Sequence, residues 1–303
     1  MALFAFILLV TSTIYFYLRS KESRLGKIFS LLSLSLTVWS FFLFICDYKS
    51  EYWSQTLAIQ LITLGPIFIP ILLTYIITNY TFLKKILSPP GSMLVAHGLI
   101  ILRLLYATFE GTLSPFILEG EKVVYKGNVN YYFFCAYLVG TIFWSLLVIR
   151  KNIKKGNYFV RLHSLYMATG IIFGFVIAIV LSIVLPNLGI SLNSISVFGL
   201  LIFLWTTWIP LDHNRLFTED ELLDFRQDIR NPRLSNVIIY LNRYLLNVID
   251  PVAYKEICTE FEKKRQEELC DLQVDLLTEF KAMKDTKATL RGYANKMLNL
   301  FFR

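Results

Sequence analysis

Seven apolar runs alternate with short polar loops along the first two thirds of the chain, at residues 2–18, 28–46, 53–80, 92–109, 131–149, 162–185 and 190–211. A helix needs about 20 apolar residues to cross the hydrocarbon core of a bilayer. The pattern therefore predicts an all-α membrane protein, a seven-transmembrane helix bundle over residues 1–211 followed by a cytoplasmic helical tail over 212–303. The third run holds Gly65-Pro66 and Pro70, which predict a kink, because proline removes a helix donor and crowds the preceding turn. The fourth run is the least apolar, since it contains His97 and Arg103.

Charge adds a direction. Residues 1–211 carry 15 Lys/Arg and 6 Asp/Glu, and residues 212–303 carry 15 and 16. The net +8 thus belongs to the apolar part. Its cations sit in short loops, which argues against nucleic-acid binding. The first, third and fifth loops hold eleven of them and the intervening loops three. Cytoplasmic loops carry the excess of Lys and Arg, so the N-terminus is expected outside and the tail inside a cell membrane. With no basic region before Ala2 and no clear small-residue cleavage site, the first run is expected to be a retained span rather than a signal peptide.

Polar positions inside the runs are the candidates for function. Ser30, Ser33, Thr37 and Ser40 share one face of the second run, with Trp39 beside it. They serve either interhelical hydrogen bonds or the polar wall of a cavity, because hydrocarbon satisfies neither donor nor acceptor. Gly170, Gly174, Ala178 and Ser182 recur every four residues in the sixth run. That stripe allows close helix packing, within the bundle or between two copies. Arg103 lies about two turns, roughly 9 Å, from the end of its run. A cation at that depth has a partner, snorkels outward, or contacts a ligand. Glu110 follows seven residues later on the same face. Arg103, Trp39, Ser40 and Glu110 are the candidate ligand-binding set, with a small ligand arriving from the outer side. His97 is expected to be a packing residue held by hydrogen bonds.

Residues 110–130 form the longest external loop. Two apolar stretches flank a Glu-Gly pair at 119–120, which suggests a hairpin, a lid or a plain connector. Cys46 and Cys135 lie near the outer ends of their runs, and free buried thiols are expected in preference to a disulfide. No cysteine spacing suits a metal.

Three helix starts are legible in the tail. Thr218 with Glu221 makes a capping box, and Asn231-Pro232 and Asp250-Pro251 place a cap before an N1 proline. The second tail helix carries Leu234, Val237, Ile238, Leu241, Tyr244, Leu245 and Val248 on one side. The third is free of proline and glycine over 252–291 and has a stripe of Leu269, Leu272, Leu276, Phe280 and Met283. That stripe packs within the tail or forms a homodimeric coiled coil. The segment Glu262-Lys-Lys-Arg-Gln-Glu-Glu268 is expected to be a solvated face. The chain ends in an apolar segment, 297–302, placed to dock back or lie on the membrane. The tail's one glycine, Gly292, leaves no nucleotide loop, and its one histidine, His213, lies next to the membrane. Neither a catalytic set nor a cofactor is expected, so the chain is not expected to be an enzyme.

The layout of residues 1–217 resembles the N-terminal seven-transmembrane domain of bacterial histidine kinases and related signalling proteins. The resemblance rests on LTVWSFFLFICDY in the second run, LGPIFIPILLTYIITNYT in the third, NYYFF opening the fifth and NRLF at Asn214–Phe217. It implies a sensory input bundle, but no kinase module follows, so output would pass through a cytoplasmic signalling protein that contacts the tail. A transporter and a membrane scaffold without a ligand are the alternatives. Few ionisable residues and no matching halves argue against transport.

Overall fold

The computed structural model describes residues 2–20, 24–47, 52–81, 88–119, 122–156, 158–188, 193–212, 240–241, 244–245, 247–248 and 251–282. It divides into two compact units, Met1–Asn214 and Arg215–Arg303. In the first, α1 (Ala2–Arg19), α2 (Arg24–Asp47), α3 (Tyr52–Leu61) and α4 (Ile69–Asn79) are followed by α5 (Gly91–Phe109). Strands β1 (Phe116–Glu119) and β2 (Lys122–Tyr125) then precede α6 (Val129–Lys155), α7 (Tyr158–Ile179), the short α8 (Leu185–Asn187) and α9 (Asn193–Asp212).

Six of these helical stretches are long and apolar enough to cross a membrane: Ala2–Arg19, Arg24–Cys46, Tyr52–Asn79, Gly91–Phe109, Val129–Lys154 and Val160–Asn187. A further apolar stretch in α9, Ile195–Ile209, is shorter. Apolar side chains cover the outside as well as the inside. Leu99, Leu102, Phe143 and Phe173 are exposed, whereas Phe16, Phe29, Leu32, Leu73 and Phe203 are fully buried. A helix that is apolar all round belongs in a large core or in lipid.

Hydroxyls join the helices where hydrocarbon would leave them unsatisfied. Thr13 of α1 bonds Ser33 at 2.6 Å and Thr37 at 2.8 Å on α2. Trp205 of α9 donates to Ser12 at 3.2 Å. The polar face of α2 thus binds α1; of the two readings open for that face, interhelical bonding is the one formed at Ser33 and Thr37. At the opposite end of the bundle from the hairpin, the Tyr80 hydroxyl accepts from Asn152 at 2.8 Å and shares a 2.6 Å bond with Ser164. This knot ties the end of α4 to α6 and α7.

The small-residue stripe of α7 packs inside the chain. A Cβ on Gly174 would stand 2.2 Å from Phe203 Cβ, and one on Gly170 would stand 2.5 Å from Thr206 Oγ1. Both neighbours belong to α9, so the glycines let α7 and α9 touch along their backbones.

In the second unit, α10 (Pro251–Ala282) is a single 32-residue helix, about 48 Å long. It starts on the proline expected at N1. The capping box at Thr218, the Asn231-Pro232 start and Met283 lie outside the described residues, as do the side chains of Leu272, Leu276 and Phe280.

Candidate functional site

Two of the long apolar stretches are broken, and both breaks follow from proline. The third stretch leaves α3 at Leu61, passes through a tight turn at Pro66–Phe68 and resumes as α4. Pro66 and Pro70 lack the N–H groups that would continue the ladder. The segment is held instead by Phe68 N–H to Gly65 O at 3.1 Å and by Ser35 of α2, whose hydroxyl donates to Gly65 O at 2.5 Å. Gly65 touches α2 so closely that a Cβ there would lie 2.2 Å from Ser35 O. The sixth stretch widens into a π turn at Val180–Val184, just before Pro186 in α8. The Pro186 ring crowds the Ser182 carbonyl and offers it no donor. Single π turns of this kind recur at functional sites.

Between the two breaks lies a cavity of about 90 Å³. Leu36, Trp39 and Leu43 of α2 form one wall, and Ile62, Thr63, Pro66 and Ile69 of the broken third stretch form the next. Tyr131, Phe134, Cys135 and Leu138 of α6 face Phe175, Ala178, Ile179, Ser182 and Ile183 of the sixth stretch. Pro115 and Phe116 reach in from the hairpin, and Leu200 from α9. None of these side chains carries a formal charge.

Polar groups in this wall are few and two are unpartnered. Among the described residues, three buried side-chain polar atoms have no hydrogen-bond partner: Thr63 Oγ1, Ser182 Oγ and Trp208 Nε1. Trp208 belongs to a separate aromatic cluster, its ring 4.8 Å from Phe16 and 5.3 Å from Phe29. Thr63 and Ser182 line the cavity, one on each broken stretch. Thr63 is only 4% exposed. Native structures pair most such groups, and an exception calls for an explanation.

The hairpin sits beside the cavity and is fastened on both flanks. Strands β1 and β2 pair antiparallel, Phe116 with Tyr125 through Glu119 with Lys122, as the two apolar stretches of the loop predict. Helix α5 ends in a Schellman motif, with Thr112 N–H to Ala107 O at 2.9 Å and Gly111 N–H to Thr108 O at 3.0 Å. Gly111 takes φ +73°, the left-handed position that glycine occupies without strain. Asn128 caps α6 by accepting from Tyr131 N–H at 2.8 Å, and its amide donates to Ser114 O at 2.8 Å. At the end of the sixth stretch, the Asn187 amide donates to Ile183 O at 2.7 Å and to the Tyr125 hydroxyl at 3.1 Å. Tyr132 donates to Asn187 Oδ1 at 3.0 Å. Asn187 therefore links the hairpin, α6 and the π turn. Burial is the largest cause that raises the Tyr125 phenol, to about 12, with Tyr132 next.

The residues singled out from sequence divide. Trp39 lines the cavity. Ser40 is buried on the same helix but is not part of the lining. Arg103 and Glu110, at one end of α5, are exposed and do not reach it. The Arg103 guanidinium stands 5.7 Å from the Phe133 ring centroid of α6, within cation–π range. His97 is buried, with one ring nitrogen bonded to the Tyr137 hydroxyl and the other 3.3 Å from Thr74 Oγ1. It has the hydrogen-bonded packing role expected of it. Cys46 and Cys135 are buried and form no disulfide.

Thr63 and Ser182 were not picked out as a pair. Each had a local signal. Thr63 stands two residues before Gly65-Pro66, and Ser182 ends the four-residue stripe, four before Pro186. Comparison of the chain with family models, with curated proteins and with solved structures finds no match.

Proposed function

We propose that this chain is a membrane sensor, a receptor-like signalling protein with a seven-crossing bundle as input and a helical tail as output. In this reading α9 is the seventh crossing, the N-terminus and hairpin face outward, and the tail lies in the cytoplasm. Loop charge supports the orientation. The resemblance of residues 1–217 to the membrane domain of bacterial histidine kinases supports the sensory role. The observation that carries the proposal is the connection of the hairpin to the π turn through Asn187, beside a cavity with two unpartnered hydroxyls. Occupancy of that cavity would bear directly on the sixth stretch, which packs along α9 through Gly170 and Gly174. The tail follows α9 in sequence, so a shift of α9 would be felt there. A partner signalling protein, or a second copy of the chain, would receive it.

In-cell crosslinking from residues 251–282, with mass spectrometry of the captured proteins, tests the output. Capture of a kinase or cyclase is expected. If removal of residues 218–303 leaves every cellular phenotype of the intact protein unchanged, the tail is not an output and the proposal fails.

Transport is the second reading, because two broken helices border one cavity, as in many transporters. The uncharged lining gives an ion no path, and solute uptake by proteoliposomes would be the result that favours it. A scaffold without a ligand gives no reason for the two unpartnered hydroxyls.

A further inference from the structure

We propose that the outward face of α5 holds one zwitterionic phospholipid of the leaflet on the hairpin side, with its phosphate diester on Arg103 and its ammonium at Glu110. This site is separate from the cavity and stands whether or not the chain is a sensor.

The two faces of α5 differ. His97, Ile101, Leu104, Ala107 and Thr108 are buried and turn to the bundle. Leu99, Leu102, Arg103, Tyr106, Phe109 and Glu110 are exposed. Spacings of three, four and seven residues put Leu99, Arg103, Tyr106 and Glu110 along one outward stripe. Helix α5 is long and apolar enough to cross a membrane, and the outward stripe of such a helix meets lipid.

Arg103 stands six residues before the last residue of α5, about 9 Å along the axis. At that depth a guanidinium is costly unless an anion or water reaches it. Among the described residues no carboxylate pairs with Arg103. Its guanidinium rests instead 5.7 Å from the centroid of the exposed Phe133 ring of α6. The ring attracts the cation without using its five N–H donors, which stay available for an acceptor. Phosphate is the anion that lipid carries, and guanidinium binds it through two parallel N–H bonds. The headgroups are close by. Tyr52 and Trp53 at the start of α3, and Tyr132 beside Phe133, are exposed at this end of the bundle, as the side chains of an interfacial belt are. Arg103 therefore needs only to snorkel toward that belt to meet a phosphate.

Glu110 selects among phospholipids. It follows Arg103 on the same stripe, about 10 Å nearer the hairpin end. It interacts with the Tyr106 hydroxyl and pairs with no cation among the described residues. A phospholipid carries its phosphate next to the hydrocarbon, and in the zwitterionic class an ammonium stands two carbons farther out. The charges along α5, a deep cation and a shallow carboxylate, are complementary to that order. Two ion pairs of about 4 Å each, joined by those two carbons, cover the rise between the residues. An anionic headgroup would bring Glu110 no cation, and its extra charge would be repelled.

The test is native mass spectrometry of the full chain, loaded with equal amounts of phosphatidylethanolamine and phosphatidylglycerol of the same acyl chains. The parent is expected to keep one phosphatidylethanolamine in preference to phosphatidylglycerol. Arg103→Gln should lower retention of that lipid about tenfold, the scale of a lost hydrogen bond to a charged group. Arg103→Lys, which keeps the charge and loses the fork, should fall between them. Glu110→Gln should abolish the preference while phosphatidylglycerol is held at least as well as in the parent, a result that a misfolded chain would not give. Excess inorganic phosphate should leave the lipid in place, because the acyl chains hold it against Leu99 and Leu102. The inference is overturned if Arg103→Gln keeps the lipid undiminished, if the parent holds both lipids equally, or if inorganic phosphate empties the site. A dimer lost in Arg103→Gln would also overturn it, by giving the cation a partner on a second copy.

Discussion

The Asn187 amide donates to the Tyr125 hydroxyl at 3.1 Å and so bridges 62 positions of sequence. With Tyr132 donating to Asn187 Oδ1 and the amide also bonding Ile183 O, one side chain holds the hairpin against the π turn. Asn187 is exposed, so its bonds compete with water, and each contributes on the order of 1 kcal/mol. In Asn187→Ala the hairpin is expected to loosen while the bundle keeps its thermal stability. Hydrogen exchange should show faster amides at Phe116–Glu119 and Lys122–Tyr125 and unchanged ones in α2. Equal protection in both proteins would mean that the hairpin holds its place without Asn187.

Tyr125 is also a titratable group whose burial opposes ionisation, while the bond from Asn187 favours it. Its folded pKa, about 12, lies above the ordinary 10.0, first because the neutral phenol is partly buried. A raised pKa means that the folded state favours the proton. The contribution of this phenol is therefore complete below pH 10, and it is lost as pH rises through about 12. A difference absorbance titration of the parent against Tyr125→Phe should place one phenolate in that upper window. A midpoint at the ordinary value would show Tyr125 to be solvated.

Two glycines are expected to resist any side chain. A Cβ at Gly65 would meet the Ser35 carbonyl oxygen at 2.2 Å, and one at Gly174 would meet Phe203 Cβ at 2.2 Å. In both cases the obstacle belongs to a facing helix packed directly on the glycine. Gly65→Ala and Gly174→Ala should each lose more than about 2 kcal/mol, as overpacked cores do. Gly140, with open space around its Cβ position, is the control. Thermal unfolding in detergent should rank Gly140→Ala well above the other two, and equal midpoints would refute the helix contacts.

Removing a partnered hydroxyl and an unpartnered one should have opposite results. Tyr80→Phe takes an acceptor from Asn152 and a partner from Ser164, at a cost of about 1–3 kcal/mol for the groups left unsatisfied. Thr63→Val takes away a buried hydroxyl that bonds nothing in the protein, so the ligand-free chain should be as stable as the parent or more so. A fall in melting temperature for Thr63→Val as large as that for Tyr80→Phe would mean that Thr63 has a structural partner.

Much of the bundle was visible in the order of residues, because a long apolar helix needs only local composition to be recognised. The runs beginning near Ala2, Ile28, Ser92 and Tyr131 became α1, α2, α5 and α6. The break at Gly65-Pro66 and the hairpin around Glu119 were also local, set by proline geometry and by paired apolar stretches. The site was less legible. Arg103 and Glu110 stood out as costly charges in an apolar run, yet α5 has them exposed, away from the cavity lining. Thr63 and Ser182 drew less notice, since single hydroxyls in apolar helices are common and usually bond their own backbone.

The sequence alone determined the apolar helices, the proline break in the third run and the charge step between residues 1–211 and 212–303. These depend on properties of neighbouring residues, which every stretch of chain carries with it. Only the tertiary structure decided that the breaks near Pro66 and Pro186 face one cavity, and that Asn187 joins that cavity to the hairpin. Pro66 and Pro186 are 120 positions apart and Asn187 and Tyr125 are 62 apart, and their meeting depends on how helices pack. The same packing gives α7 its glycine contact with α9 and leaves Thr63 and Ser182 as the two unpartnered hydroxyls of an otherwise apolar wall.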